Sequence, residues 1–312
     1  MYEIVKPKSH DLWLEARSQG IGSSEVGTIL GVNPFDTAYK LWRRKKGLDA
    51  PIAENEAMRA GHLLESAVAQ YFQEETGYKV IKASAGDWLA IDKQKPFLRV
   101  SPDRTYWLDS NRSKDNKGIV ECKTTQLEID EDNIPKHWFV QLIYQLGVMG
   151  YREGSLAWLT RGRSFGTKRI FFDADLYAFM VEQIERFVVD YLQGDKEPPV
   201  TTVDDVIIKF AKSSDKQIIA DEKIMQQVSI LKSIKPQLDQ LTKQKKECED
   251  AIKLFMEEND TLTMSDAKTV LCTWKSAKDS QKFDEKAFKA DNPELYAKYL
   301  INTAGSRRFL LK

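Results

Sequence analysis

Two stretches decide the fold of this chain: Phe97-Leu-Arg-Val-Ser-Pro-Asp103 and Gly118-Ile-Val-Glu-Cys-Lys-Thr124. The first predicts a strand that ends at Asp103, and the second predicts a strand whose alternation turns Glu121 and Lys123 to one face. Asp103 and Glu121 would then lie at the ends of neighbouring strands, where they could share one cation.

These residue types suit metal-assisted cleavage of a phosphodiester. Mg²⁺ prefers oxygen ligands, and proteins usually hold it with one or two carboxylates plus substrate phosphate oxygens. The metal lowers the pKa of a coordinated water, and Lys123 beside it could orient or deprotonate that water and stabilise the transition state. The alternative is that Glu121 and Lys123 form an ordinary charge pair on a half-exposed strand, since such pairs are common.

The order of predicted elements indicates an α/β fold, with a mixed sheet flanked by helices and an α-β-β-β-α-β core. Apolar periodicity predicts helices at 25–30, 54–76, 135–149 and 174–193, and strands at 78–83, 88–91, 97–101, 104–108, 118–124, 155–161 and 168–173. The polar stretch from Asp109 to Lys117 predicts a loop.

Five polar residues outside the core strands are further candidates for the site. Glu65 lies at the edge of a helical apolar stripe, and it could also be a solvated helix residue. Gln141 and Tyr144 share a face of the next long helix, where they could form a structural hydrogen-bonding pair. Arg17 could be a surface cation, and Ser24 could be the N-cap of a short helix. An N-cap and a phosphate site are compatible, because helix N-termini present free amides to anions.

Together these segments resemble the YqaJ viral recombinase family, a phage lambda-exonuclease-like group of the PD-(D/E)xK nuclease superfamily. The resemblance covers residues 11–193 and rests on five motifs in the family's order. These are Trp13-Leu-Glu-Ala-Arg17-Ser-Gln-Gly-Ile-Gly-Ser-Ser24-Glu25, Gly61-His-Leu-Leu-Glu65, Ser101-Pro-Asp103, Glu121-x-Lys123 and Gln141-Leu-Ile-Tyr144.

The resemblance implies a PD-(D/E)xK restriction-endonuclease-like core and a role for each matching residue. The implied metal ligands are Asp103, Glu121, Glu65 and the backbone carbonyl of Cys122, and the implied ions are two Mg²⁺ per site, with Mn²⁺ as a substitute. The implied catalytic set adds Lys123, Gln141 and Tyr144, and the implied ligands of a terminal 5′ phosphate are Arg17, Ser24 and Ser101. The family also implies a ring-shaped homotrimer around double-stranded DNA and a single-strand annealing protein as partner.

The chain departs from the family pattern at two places. Arg104 follows Pro102-Asp103 where the family usually has glycine, and residues 34 and 35 lack an arginine that lambda-type enzymes use on the phosphate. Cleavage is therefore supported by more matching positions than recognition of the DNA end.

Composition limits the remaining possibilities. The chain has 312 residues, with 47 Lys and Arg against 47 Asp and Glu, so contact with DNA must come from local basic clusters. Candidate clusters are Lys40-Leu-Trp-Arg-Arg-Lys-Lys46, Arg161-Gly-Arg163, Lys168-Arg169 and Arg307-Arg308. Three scattered cysteines exclude a disulfide framework and fall short of an iron–sulfur cluster, and three histidines make a His-based zinc site improbable. We expect no membrane insertion and a place in the cytoplasm of a bacterial host.

Composition shifts after Pro198-Pro199, which predicts a nuclease core at 1–197 and a C-terminal extension at 198–312. The extension is expected to hold a helical hairpin broken near Pro236, a β-hairpin turning at Asp266-Ala267, a helix at 284–300 and a closing strand at 307–311. We place no catalytic residue there, although Trp274, Lys275, Arg307 and Arg308 could contact DNA.

The hypothesis that follows is a Mg²⁺-dependent deoxyribonuclease, with its 5′-to-3′ polarity on linear duplex DNA and its 3′ overhangs supplied by the resemblance alone. One alternative is a phage-type endonuclease of the same superfamily. A second is a non-catalytic DNA-binding or scaffold protein whose charged core serves structure.

Overall fold

The structure is a computed structural model, and it describes residues 1–82, 88–109, 116–214, 216–265, 268–301 and 305–312. The chain divides into two compact units, Met1–Lys209 and Phe210–Lys312. This boundary lies twelve residues beyond the one predicted at 197. The intervening segment belongs to the first unit because buried Asp205 accepts a hydrogen bond from Thr37 Oγ1 at 2.7 Å.

The first unit contains helices and strands in alternation. Its described helices are α1 (His10–Ser18), α2 (Ser23–Ile29), α3 (Ala38–Lys45), α4 (Glu56–Thr76), α5 (Lys136–Met149), α6 (Ala174–Phe187) and α7 (Val203–Lys209), and α6 continues as a π-helical segment at Val188–Gln193. Its described strands are β1 (Tyr2–Val5), β2 (Val80–Lys82), β3 (Leu89–Asp92), β4 (Arg99–Val100), β5 (Arg104–Trp107), β6 (Lys117–Thr125), β7 (Glu153–Thr160) and β8 (Ser164–Phe171).

The central sheet has five strands in the order β2-β5-β6-β7-β8. Only the β6–β7 pair is parallel among these described strands, and α5 connects the two. A smaller antiparallel sheet has the order β1-β3-β4. The predicted fold class, a mixed sheet flanked by helices, is therefore confirmed.

Two hydrophobic clusters cover the two faces of the central sheet. On one face, Ile119 and Leu156 pack with α5 in the larger cluster. On the other face, Val120 and Ala157 pack with Val68 of α4. Because side chains alternate along a strand, the β6 positions in step with Ile119 point toward α5 and those in step with Val120 point toward α4.

The strand assignment of Asp103 was wrong. The predicted strand at 97–101 is β4, which belongs to the smaller sheet, whereas Asp103 lies after it and directly before β5. Buried Pro102 separates the two strands, and Pro lacks the N–H that a continuing ladder needs. Asp103 is nevertheless beside β6, because β5 is its neighbour.

The second unit contains a long helix and a small hairpin. Its described elements are α8 (Glu222–Met256), β9 (Thr261–Thr263), β10 (Val270–Thr273), α9 (Glu285–Asp291) and α10 (Pro293–Lys298). The predicted helical hairpin was wrong, since α8 runs straight through Pro236, whose side chain is exposed. A proline inside a helix removes one hydrogen bond and can kink the helix, but here it does not end it.

The other predictions for this unit have mixed outcomes. The β-hairpin is confirmed by the antiparallel β9–β10 pair, although its predicted turn at 266–267 lies outside the described residues. The predicted helix at 284–300 is divided into α9 and α10 at Asn292, before Pro293. No strand occurs in the described residues 305–312, so the closing strand was wrong there. Residue 83 of a predicted strand and residues 110–115 of the predicted loop also lie outside the described ranges.

No helix in the described part of the chain is long and apolar enough to cross a membrane.

Candidate active site

The two predicted carboxylates meet where β5 and β6 pair. Asp103 immediately precedes β5, whose Arg104 lies opposite Val120 in the antiparallel register. The Cys122 backbone N–H donates to Asp103 Oδ2 at 2.8 Å. This hydrogen bond fixes Asp103 beside the segment of β6 that carries Glu121.

Glu121 is buried, and both of its carboxylate oxygens accept hydrogen bonds. Lys123 Nζ donates to Oε1 at 2.8 Å, and Gln141 Nε2 donates to the same oxygen. Gln145 Nε2 donates to Oε2 at 2.8 Å. A buried carboxylate is costly unless it is paired and hydrogen-bonded, and these three donors offset that cost.

Lys123 lies between Glu121 and α5. Its Nζ also donates to Gln141 Oε1 at 2.9 Å. Burial by itself would lower the pKa of Lys123, but the carboxylates of Glu121 and Asp103 outweigh burial and raise it. Lys123 is therefore an ammonium at neutral pH, which can orient a water and stabilise negative charge. It would have to lose its proton before it could deprotonate a water.

The surroundings of Asp103 strongly disfavour its charged form. Burial, followed by the charge of Glu121, raises the pKa of Asp103 well above its ordinary value, and Lys123 offsets this only in part. Burial and the repulsion between the two carboxylates thus disfavour the Asp103 anion. A divalent cation would stabilise that anion, and its preference for carboxylate oxygens matches Asp103 and Glu121. The residues present therefore fit such an ion.

Glu65 is paired with a cation of its own. It lies on α4 and forms an ion pair with Arg104. The Arg104 guanidinium also donates to Asp103 O at 2.7 Å and to Ser66 Oγ at 3.3 Å. Accordingly, no group of three or more His, Cys, Asp or Glu side chains within the described residues is arranged to hold a metal. Glu65 can become a third ligand only if Arg104 releases it.

Tyr144 supports the backbone around the site. Its hydroxyl donates to Ile21 O at 2.9 Å and accepts from the Arg99 N–H at 3.2 Å. These bonds join the segment that leads into α2 to β4. Burial raises the pKa of Tyr144 well above its ordinary value, so the hydroxyl stays protonated. Tyr144 therefore contributes by holding the backbone in place, whereas Gln141 makes hydrogen bonds with both Glu121 and Lys123.

Arg17 and Ser24 are brought together although they lie on different helices. Arg17 Nη2 donates to Ser24 Oγ at 3.1 Å, and the guanidinium lies 5.1 Å from the centre of the Trp13 ring. The N-cap role for Ser24 was wrong, because α2 already begins at Ser23 with Gly22 as its N-cap. Ser24 is therefore available as a polar group near the start of the helix.

Ser101, the third candidate for phosphate binding, lies in the connection between β4 and β5. It is partly buried and precedes Asp103 by two residues. The backbone thus places this candidate close to a predicted metal ligand.

Gln145 is a site residue that sequence reasoning missed. It is fully buried, and its Nε2 bridges Glu121 and Ser23 Oγ, the latter at 3.1 Å. Its Oε1 is buried without a hydrogen-bond partner among the described residues. The signal was present in the sequence, since Gln145 follows Gln141 by one helical turn and shares its face. Buried side-chain amides need hydrogen-bond partners, and this spacing places both glutamine amides on the side of the helix that packs on β6.

The predicted basic clusters are mostly neutralised by carboxylates. Salt bridges join Lys40 to Asp204, Arg43 to Asp49, Arg44 to Asp36, Lys45 to Glu25, Arg161 to Glu128 and Arg169 to Glu153. In contrast, the hydrogen bond of Arg17 goes to a neutral hydroxyl. A cation without a carboxylate partner keeps more of its attraction for phosphate.

Comparison with known proteins gives the family. Residues 12–152 match the YqaJ-like viral recombinase domain. The uncharacterized protein YqaJ of Bacillus subtilis (strain 168) is 30% identical over 320 residues, which cover 97% of this chain and 94% of that protein. The chain belongs to the YqaJ family.

Two solved structures also resemble this YqaJ-family chain. An alkaline exonuclease from Laribacter hongkongensis is 18% identical with a TM-score of 0.44, and the match covers 59% of this chain and 93% of that one. A phage-related exonuclease from Haemophilus somnus 129PT is 13% identical with a TM-score of 0.40, covering 56% of this chain and 94% of that one.

The YqaJ domain match contains every candidate site residue. It begins before Arg17 and ends at residue 152, soon after α5. The Bacillus subtilis relative aligns over nearly the whole chain.

Proposed function

We propose that this YqaJ-family chain is a metal-dependent deoxyribonuclease. It acts as a 5′-to-3′ exonuclease on linear double-stranded DNA and leaves 3′ single-stranded overhangs for phage-type homologous recombination. The observation that carries the proposal is buried Glu121, held by Lys123, Gln141 and Gln145 beside Asp103. Titratable groups perturbed by burial and by specific charge partners are typical of active sites.

Asp103, Glu121 and the Cys122 carbonyl would hold Mg²⁺, with Mn²⁺ as a substitute, and two ions per site are what the resemblance implies. The ion supplies Lewis-acid polarisation of the phosphate and lowers the pKa of a coordinated water. Burial and the nearby charge of Glu121 raise the pKa of Asp103, and this supports the assignment because a bound cation would stabilise the Asp103 carboxylate. Glu65 would join the ligands after separating from Arg104.

The protein residues divide the remaining work. The Lys123 ammonium orients the attacking water and stabilises negative charge on the phosphate oxygens. Gln141 fixes the position of Lys123 relative to Glu121 by hydrogen bonding to both, and Gln145 hydrogen-bonds the second oxygen of Glu121. Tyr144 maintains the backbone that positions these groups.

Arg17, Ser24 and Ser101 would bind the terminal 5′ phosphate. The Arg17–Ser24 pair supports this role because a guanidinium and a hydroxyl can both donate to phosphate oxygens. Binding at the terminal phosphate would make the enzyme start at an end and would give the 5′-to-3′ direction.

The family resemblance supports a ring-shaped homotrimer around the duplex and a single-strand annealing protein as partner. A chain with equal numbers of acidic and basic residues is suited to staying on DNA by enclosing it. Light scattering of the purified chain measures the assembly, and a mass that is not a multiple of three copies would contradict the ring.

The decisive experiment compares wild type, Lys123→Ala and Lys93→Ala on linear duplexes labelled at either 5′ or 3′ ends, with closed circular plasmid alongside. Lys93 is an exposed lysine in the same unit and serves as the matched control. Each reaction is run with Mg²⁺ and with a chelator. We expect loss of the 5′ label from linear DNA alone, requiring Mg²⁺, unchanged in Lys93→Ala and lost in Lys123→Ala.

Cutting of the closed circle would replace the exonuclease with an endonuclease of the same site. Absence of cleavage by folded wild type with either Mg²⁺ or Mn²⁺ would leave a non-catalytic DNA-binding protein and overturn the proposal.

A further inference from the structure

Helix α8 carries a seven-residue repeat along its whole length. With Ile224 as position a, the repeat assigns Ile224, Leu231, Leu238, Lys245 and Ile252 to a, and Gln227, Ile234, Leu241, Cys248 and Phe255 to d. All but Gln227 and Lys245 are hydrophobic. We call these ten positions the α8 seam. A repeat of seven residues sustained over more than four turns is the pattern of a left-handed coiled coil.

The apolar residues of the α8 seam are exposed to solvent. Their exposed fractions include 39% for Leu231, 59% for Leu238, 61% for Leu241 and 76% for Phe255. At about 1.5 Å per residue, the 35 residues of α8 extend for roughly 50 Å. A continuous apolar stripe of this length marks an interaction surface.

Pro236 is compatible with pairing along the seam. It occupies position f of the repeat, the side of the helix that faces away from the seam. Its missing N–H and its ring therefore affect the outer side of α8, and the seam stays continuous on the inner side.

We propose that α8 forms a parallel, in-register coiled coil with α8 of a second copy of this chain. In that register Gln227 meets Gln227 and Lys245 meets Lys245, whereas an antiparallel pairing about the helix centre sets these polar residues against Ile252 and Ile234. A polar residue in the seam specifies register at a cost in stability, and the parallel register gives the Gln227 amide a second amide as hydrogen-bond partner instead of an apolar side chain. Lys245 also pairs with Glu249 of its own helix at 3.1 Å, which compensates its charge.

The residues beside the seam permit this parallel arrangement. Position g of one helix faces the following position e of the other, which gives the pairs Lys223–Val228, Ile230–Lys235, Gln237–Thr242, Gln244–Glu249 and Ala251–Met256. None of these pairs opposes two like charges, so no repulsion at the flanks prevents self-association. The proposal does not depend on the nuclease, because none of the candidate catalytic, metal-binding or phosphate-binding residues lies in the second unit.

Cys248 provides a direct test, since it is exposed and lies at a d position. Parallel, in-register pairing sets Cys248 of one copy against Cys248 of the other. Diamide would then accept two electrons and two protons from the facing thiols as their disulfide forms. The full-length chain is treated with diamide and separated on a non-reducing gel, as wild type, Cys248→Ser, Leu238→Asp and Leu254→Asp. Leu254 is 78% exposed and lies off the seam, so it is the matched control.

We expect a cross-linked pair of chains in wild type and in Leu254→Asp, and its loss in Cys248→Ser and Leu238→Asp. If Leu238→Asp reduces helicity measured by circular dichroism, the milder Leu241→Gln serves the same comparison. Absence of the Cys248 cross-link in wild type would overturn the proposal. A cross-link that persists equally in both seam variants would also overturn it, because it would then arise from random collision.

Discussion

The end of the central sheet is organised differently on its two faces. Toward α5, Glu121 is 3% exposed and is held by one ammonium and two amides. Toward α4, the side chain of Glu65 is 26% exposed and is paired with the guanidinium of Arg104. The first carboxylate is fixed in place next to Asp103. The second is neutralised by its partner.

Under the proposed function, this difference would separate a carboxylate ready to bind the metal from one that joins it later. Mg²⁺ needs only one or two protein carboxylates, because waters and substrate oxygens complete its shell. Glu121 and Asp103 can meet that requirement as they stand. Glu65 must first exchange Arg104 for the ion, so its contribution to metal binding should be smaller. Substitutions on each face test the two roles separately.

The largest effect is expected on the α5 face, from Glu121→Gln. The amide keeps the volume of the side chain but cannot serve as an anionic ligand, and its NH₂ must face a donor, either that of Gln145 or that of Gln141. We expect cleavage of linear duplex to fall at least about a hundredfold, the size of effect seen when one preorganised electrostatic group is removed. Leaving buried donors unpaired should also cost about 1–3 kcal/mol of stability. Initial rates and thermal unfolding measure the two effects.

Glu153→Gln is the matched control for Glu121→Gln. Glu153 is another buried glutamate of the same sheet, and it pairs with Arg169 away from the site. It should lose stability and retain cleavage. Equal activity in the two variants would show that the α5 face has no special role.

Sequence patterns predict the α5 face well because its order is local. The alternation along 118–124 correctly put Glu121 and Lys123 on one side, since the period of a strand can be counted from the residues alone. Helical spacing likewise put Gln141 and Gln145 on one side. The packing of α5 on β6 is a contact between distant segments. The sequence alone therefore does not show that both glutamine amides donate to the buried carboxylate of Glu121.

The parts that sequence did not predict depend on contacts between distant residues. The Glu65–Arg104 pair joins positions 39 residues apart and decides whether Glu65 is free. In the sequence, the segment around Pro102 looks like the end of a single strand. In the structure, it connects two strands that belong to different sheets. Asp205 joins α7 to the rest of the first unit through its hydrogen bond with Thr37. The residues around Asp205 in the sequence give no sign of this contact.

A second, smaller effect concerns the pH dependence of stability, and it tests whether burial and the charge of Glu121 raise the pKa of Asp103 in the folded chain. Its pKa is raised in the folded chain, so the folded state binds the proton more tightly than the unfolded state does. This contribution is fully present below the ordinary aspartate pKa and is lost as pH rises through the raised folded pKa. It amounts to about 1.4 kcal/mol for each unit between the two pKa values.

The measurement is the free energy of unfolding in chelator, for wild type and Asp103→Asn, from pH 4 to pH 8. Wild type should lose stability relative to Asp103→Asn as pH rises, and Mg²⁺ should restore it at the upper end. Parallel curves of stability against pH for the two proteins would mean that the pKa of Asp103 is not raised in the folded chain.

The smallest effect is expected on the α4 face, from Arg104→Met. The substitution keeps most of the buried hydrophobic volume but removes the charge that holds Glu65. A released Glu65 adds negative charge near Asp103, so the Mg²⁺ concentration for half-maximal cleavage should fall by about threefold, as befits one partly solvated ion pair worth up to about 1 kcal/mol. The same substitution in a Glu65→Gln background should have little effect on the Mg²⁺ requirement, because no carboxylate remains to be released. A Mg²⁺ requirement that shifts equally in both backgrounds would place the influence of Arg104 on Asp103 directly, and the role of Glu65 as a ligand that joins later would fail.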